Sequence, residues 1–211
     1  MDVRTFINAG VPIKKVIHVG ASVGNQIDNY VNSGIELVVW IEPQLQVFNQ
    51  LIKKTFQYPI NNIYLPLLCS DVDNQPVDFF VTSNGESSSF MELGHLLRQT
   101  YPHIQVVDSV KLFTTRFDTY CNTQKDFSWE EIDMITVDCQ GADLKVLKGF
   151  GNLLNSPNLK AIQSEVNFGE MYKDNPTKEE LKAYIEPFGF KEQFWFIENS
   201  GTWGDLGWVR L

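Results

Sequence analysis

Apolar runs of about five residues, each separated from the next by an amphipathic stretch, constrain the fold of this chain more than any other feature. The clearest is Leu37-Val38-Val39-Trp40-Ile41, in which every position is apolar. A strand that is apolar on both of its alternating faces must be covered on both sides, as in a parallel sheet flanked by helices. Lys15 to Val19 reads as a first such strand and Asn62 to Cys69 as a third. Between them, Asn25 to Ser33 and Gln44 to Phe56 carry apolar residues at helical spacing; the second puts Leu45, Phe48, Leu51 and Ile52 on one face.

Alternation is lost between Pro76 and Arg116. Val77 to Val81 reads as an extra strand, leading into a small-residue loop at 83–89. A helix is expected over Met91 to Gln99, and Val110 to Thr114 is a further strand, possibly antiparallel. With too few apolar residues for its own core, this region reads as an insertion within one domain spanning 1–211. Regularity then returns: strand Asp133 to Val137, helix Ala142 to Phe150, strand Leu159 to Ser164, and helix Lys178 to Phe188 stopped by Gly189. Phe190 to Ile197 and Trp203 to Leu211, joined through Glu198-Asn199-Ser200-Gly201, form an antiparallel hairpin.

Charge and composition exclude several classes. With 17 Lys and Arg against 26 Asp and Glu, the net charge is −9, the wrong sign for a nucleic-acid backbone partner. Cys69, Cys121 and Cys139 are an odd number without a CxxC unit, which argues against a disulfide framework or zinc knuckle. No apolar stretch approaches the ~18 residues of a membrane span and no signal-peptide pattern opens the chain, so a soluble, cytoplasmic protein is expected.

The turn Gly20-Ala21-Ser22-Val23-Gly24, between the first strand and helix, is the first candidate site. Small residues there admit a ligand near the backbone, and the helix start offers amides to an anion; a tight turn needing glycine for positive φ is the other reading. Glu42 tips the balance. It stands 22 residues after Gly20 at the tip of an apolar strand, with Pro43 fixing the turn, where a carboxylate accepts both hydroxyls of a ribose. A dinucleotide fingerprint would want glycine at 22 and 25, where Ser22 and Asn25 stand, so a nucleoside without a pyrophosphate fits better. No phosphate-binding GxxxxGK[ST] loop and no HExxH pair is present. His18, inside an apolar strand, reads as a core histidine.

Val16 to Gly24, together with Trp40-Ile41-Glu42-Pro43, resembles the first two motifs of FkbM-type S-adenosylmethionine-dependent methyltransferases. Ile135-Thr136-Val137-Asp138-Cys139-Gln140-Gly141-Ala142-Asp143, with the Leu-rich helix ending at Gly149, resembles that family's most distinctive block. Glu86-Ser87-Ser88-Ser89, Glu165-Val166-Asn167 and Trp203-Gly204-Asp205 follow in matching order. Two positions depart from the pattern: His18 stands where an acid is usual, and Asp143 replaces a Glu.

The resemblance implies a Rossmann-like class I α/β fold with a mostly parallel seven-stranded sheet and a C-terminal antiparallel hairpin. It implies S-adenosylmethionine as donor, with Gly20, Ala21, Ser22, Gly24, Glu42, Pro43, Cys69 and Ser70 around it. Asp138, Glu165 and Asn167 become the candidates for taking the acceptor's proton and orienting it. The expected reaction is O-methylation of a glycan or small polar metabolite, without a metal ion. N-methylation, and an idle nucleoside-binding module kept plausible by His18, are the alternatives.

Overall fold

A computed structural model describes residues 1–124 and 128–211. Ten strands and seven α-helices follow in chain order. They are α1 (Val3–Asn8), β1 (Lys15–Val19), α2 (Ile27–Asn32), β2 (Leu37–Ile41), α3 (Leu45–Thr55), β3 (Asn61–Leu65), β4 (Leu68–Cys69) and β5 (Pro76–Thr82). There follow α4 (His95–Thr100), β6 (Val106–Thr115), α5 (Phe117–Thr123), β7 (Met134–Val137), α6 (Asp143–Phe150), β8 (Ala161–Asn167), α7 (Lys178–Ile185), β9 (Phe190–Ile197) and β10 (Trp203–Arg210).

Seven strands form one sheet in the order β3-β2-β1-β7-β8-β10-β9. Strand order reverses between β1 and β7, which pair in parallel from Val16↔Met134 to Val19↔Val137. In an open α/β sheet, ligands gather outside the carboxyl ends of the strands at such a switch. The C-terminal hairpin is present, and β10 is wedged between β8 and β9, antiparallel to both. Two apolar layers cover the sheet. Val16, Val38, Trp40 and Met134 face Phe6 of α1 and Phe48 and Leu51 of α3. Ile17, Val39, Ile135 and Ile162 face Val146 and Leu147 of α6 and Leu181 of α7. That division is the period-two alternation of buried strands carried into two cores.

Several expectations change. The stretch from Asn62 to Cys69 is two strands in two sheets, because Pro66 lacks the N–H needed to continue a ladder. β3 closes the main sheet, while β4 pairs in parallel with β6 in a separate three-stranded sheet ordered β4-β6-β5. β6 is ten residues long and antiparallel to β5. The helix expected from Met91 starts at His95: Leu93 bridges to Tyr172, and Gly94 donates its N–H to the Met171 carbonyl, so the backbone there is committed elsewhere. β8 runs on to Asn167, past the expected end at Ser164, which makes Glu165 and Asn167 strand residues. Among the described residues no helix is long and apolar enough to cross a membrane.

Candidate active site

The turn after β1 is held by hydrogen bonds to the neighbouring strand. The amides of Gly20 and Ala21 both donate to the Ile41 carbonyl, each at 3.0 Å. The Ser22 amide donates to Glu42 Oε2 at 3.0 Å. These three N–H groups are therefore spent on the fold and are not free for an anion, and the helix start whose amides were singled out lies further on, at Ile27. Gly20 (φ +77°) must be glycine for close packing as well as conformation, since a Cβ there would lie 1.9 Å from the Asp138 carbonyl oxygen. Gly24 serves packing too: a Cβ would lie 2.7 Å from Leu51 and Thr55 of α3.

Glu42 is only 4% exposed, and its other oxygen accepts from the Gln44 amide at 2.9 Å. Each carboxylate oxygen can accept a further hydrogen bond. Burial pushes its pKa up to about 7, against the lowering effect of those two amides. A pocket of about 50 Å³ opens beside it, lined by Pro43, Leu68, Cys69, Phe79, Phe90 and Cys139, among others.

A larger cleft of about 600 Å³ lies on the other side of Gly20. Gly20, Ser22, Glu86, Asp138 and Gln140 line both spaces. Of the residues singled out in the sequence, Ala21, Glu165 and Asn167 face the large cleft; Pro43 and Cys69 face the small pocket. Gly24 and Ser70 line neither: Ser70 donates its amide to the Thr115 carbonyl and its hydroxyl to Asp71.

Asp138 follows β7 and Glu165 lies beside it in β8, one step beyond the Val137↔Ser164 pair. Gln140, at φ +53°, donates its Nε2 to Asp138 Oδ1 at 2.7 Å and to Glu165 Oε2 at 2.9 Å. The Tyr172 hydroxyl donates to Gln140 Oε1 at 2.5 Å, which orients the amide. Gln140 thus bridges two acids that would otherwise repel. Ala142 occupies the N-cap of α6 without a side-chain bond, so Asp138 is not a helix cap. Burial raises both acids, Glu165 well above its ordinary value, with the Asp138 charge adding to it. Beneath them, the fully buried Asp143 is raised well above the carboxylate range by burial, then by Asp138.

His18 stacks on Trp40 with ring centroids 5.6 Å apart, and its Nδ1 bonds the Tyr30 hydroxyl at 2.9 Å. Burial lowers its pKa to about 4, so it is neutral at pH 7 and replaces the usual acid with an uncharged ring at the cleft wall. Gln140 and Tyr172 were not identified as site residues from the sequence. Gln140 lay within a quoted motif, but nothing about Tyr172 marked it. Among the described residues no group of three or more His, Cys, Asp or Glu side chains is arranged to hold a metal ion.

A seven-stranded sheet whose order reverses between β1 and β7 and which closes on an antiparallel C-terminal hairpin is the class I fold of S-adenosylmethionine-dependent methyltransferases. The model of the FkbM methyltransferase domain matches residues 18–192, and the chain belongs to that family. Solved structures agree on the fold. Magnesium protoporphyrin IX methyltransferase from Synechocystis PCC 6803, solved with bound S-adenosylhomocysteine, is 9% identical at a TM-score of 0.55, covering 99% of this chain and 80% of that one. An S-adenosylmethionine-dependent methyltransferase from Clostridium acetobutylicum is 8% identical at a TM-score of 0.53, covering 99% and 88%. No curated protein matches the sequence.

Proposed function

We propose that the protein transfers a methyl group from S-adenosylmethionine to a hydroxyl oxygen of a small polar or glycan-type acceptor. The observation that carries this is the shared wall: Asp138 lines both the pocket beside Glu42 and the large cleft. A donor spanning from Glu42 across Gly20 places its reactive centre at that wall, and the large cleft is left for the acceptor. Its volume of about 600 Å³ falls within the ~300–1,000 Å³ of small-molecule sites. The pocket beside Glu42 is smaller, at about 50 Å³.

When bound, S-adenosylmethionine supplies a methyl carbon on a sulfonium; transfer breaks the C–S bond, forms a C–O bond and leaves a thioether. The chain's own residues do the rest. Glu42 accepts the ribose hydroxyls, and the rings of His18 and Tyr30, with Trp40 buried behind them, wall the cleft. Asp138 takes the acceptor's proton while Gln140, bonded to both acids, holds Asp138 and Glu165 in place beside the acceptor. No metal ion is required, because the carboxylate receives the proton directly. Positioning the nucleophile in line with the C–S bond supplies much of the rate.

The test is an assay of S-adenosylhomocysteine formation from S-adenosylmethionine with a panel of sugars and polyols, followed by mass analysis of the product. An acceptor gaining 14 mass units on oxygen, by roughly one methylene, is the expected result. Tight S-adenosylhomocysteine binding with no turnover on any hydroxyl or amine acceptor would favour the idle binding module instead.

A further inference from the structure

Asp138, Glu165 and Asp205 form a row across three adjacent strands. Asp205 of β10 pairs directly with Glu165 of β8, and Asp138 follows Val137, the partner of Ser164. Residues at the same level of a sheet project to the same face, so three acids stand side by side. Like charges directly opposite one another destabilise a sheet, so the row is costly to keep unless something compensates it. The surrounding wall adds to the imbalance. Asp2, Glu86, Asp138, Glu165, Glu198 and Asp205 all line the large cleft, and no Lys or Arg does. The only positive group among these described residues is the amino group of Met1, on Asp205.

A second observation points to the missing partner. Asn167, two residues beyond Glu165 and 5% exposed, lines the same cleft, and its Oδ1 has no hydrogen-bond partner. Its Nδ2 donates to Glu165 Oε1 at 3.4 Å, which leaves the buried Oδ1 as the unpartnered end of the amide. A carbonyl oxygen next to two carboxylates is an acceptor-only surface. It suits an alkylammonium, which has three donors and one charge, and it repels phosphate and carboxylate.

We propose that the acceptor's hydroxyl is accompanied by a protonated amine, seated on Glu165, Asp205 and Asn167, which makes the substrate an amino sugar or a similar amino alcohol. This rests on the methyl-transfer reading above and narrows its substrate class. The donor's own ammonium is the rival occupant. Gly20 is next to Asp138, whereas Glu165 and Asp205 lie one and two strands further, about 5 and 10 Å away at the ordinary strand spacing. Asp138 is thus within the donor's reach, and the outer two acids face the acceptor.

The experiment is calorimetry on the full chain saturated with S-adenosylhomocysteine, titrated with glucosamine, glucose, N-acetylglucosamine and glucose 6-phosphate. Glucosamine should bind at least tenfold tighter than glucose or N-acetylglucosamine, and glucose 6-phosphate should give no binding. Glu165→Gln should cut that preference to threefold or less while leaving S-adenosylhomocysteine affinity within threefold; Asp205→Asn should do the same and serves if the first variant fails to fold. Equal affinity for glucosamine and glucose, no binding of any sugar, or preference for the phosphate would overturn the proposal. So would a tenfold loss of S-adenosylhomocysteine affinity in either variant, which would assign the row to the donor. Failure of the unmodified protein to bind S-adenosylhomocysteine would instead overturn the methyl-transfer reading itself.

Discussion

Glu42 ties donor binding to pH in a way that can be calculated. Burial lifts its pKa from an ordinary 4.5 to about 7, so the folded protein without ligand prefers the protonated acid. For stability the sign is unfavourable on the alkaline side. Below pH 4.5 the group is protonated in both states, and stability falls as pH rises from there through about 7. At ~1.4 kcal/mol per pH unit this amounts to about 3 kcal/mol. Ribose hydroxyls donate to the carboxylate and favour its ionised form, so binding must expel the proton. With a free-state pKa near 7, about nine-tenths of a proton leaves at pH 6 and about one-tenth at pH 8, and affinity rises roughly tenfold between them. Calorimetry with S-adenosylhomocysteine in two buffers of different ionisation enthalpy reads both quantities. Glu42→Gln should remove this proton release and weaken binding by about 1–3 kcal/mol, because an amide accepts at only one of its two ends. Proton release and affinity that do not change between pH 6 and 8, or a Glu42→Gln profile identical to that of the unmodified protein, would refute the assignment of Glu42 to the ribose.

Asp138→Asn should leave S-adenosylhomocysteine affinity within a few-fold and lower turnover about 100-fold or more on any accepted hydroxyl, the usual worth of a positioned base. Gln140→Ala removes a hydrogen bond that lowers the Asp138 pKa, so the acid limb of the pH–rate profile should move to higher pH. Gly20→Ala forces a Cβ to 1.9 Å from the Asp138 carbonyl at φ +77°; a loss of about 3–5 kcal/mol and a melting temperature lower by roughly 10 °C are expected by scanning fluorimetry. Exhaustive EDTA treatment should leave turnover intact, whereas activity abolished by EDTA and restored by Mg²⁺ would recast Asp138, Glu165 and Asn167 as ligands.

The centre of the sheet was legible because β1, β2 and β7 are short and largely apolar, and each begins within a residue of where its apolar run does. The region from Pro76 to Arg116 was less so, since its elements are fixed by distant partners. β6 is defined by β5 and β4, and the start of α4 by the backbone around Tyr172. Glu42 was singled out by its place at a strand tip and Asp138 by the family resemblance, and both line the small pocket. The bridge by Gln140 was not legible, because it depends on a positive φ and on a hydroxyl from Tyr172, 32 residues away. The fixing of the turn after β1 was not legible either, for its first three amides serve β2 and Glu42, and the helix begins only at Ile27.

A crystal structure of the S-adenosylhomocysteine complex tests the central claim most directly. The account expects both ribose hydroxyls within about 2.6–3.2 Å of the Glu42 carboxylate, with the sulfur facing Asp138 at the mouth of the large cleft. A nucleoside bound elsewhere, or one whose sulfur points away from Asp138, would contradict it.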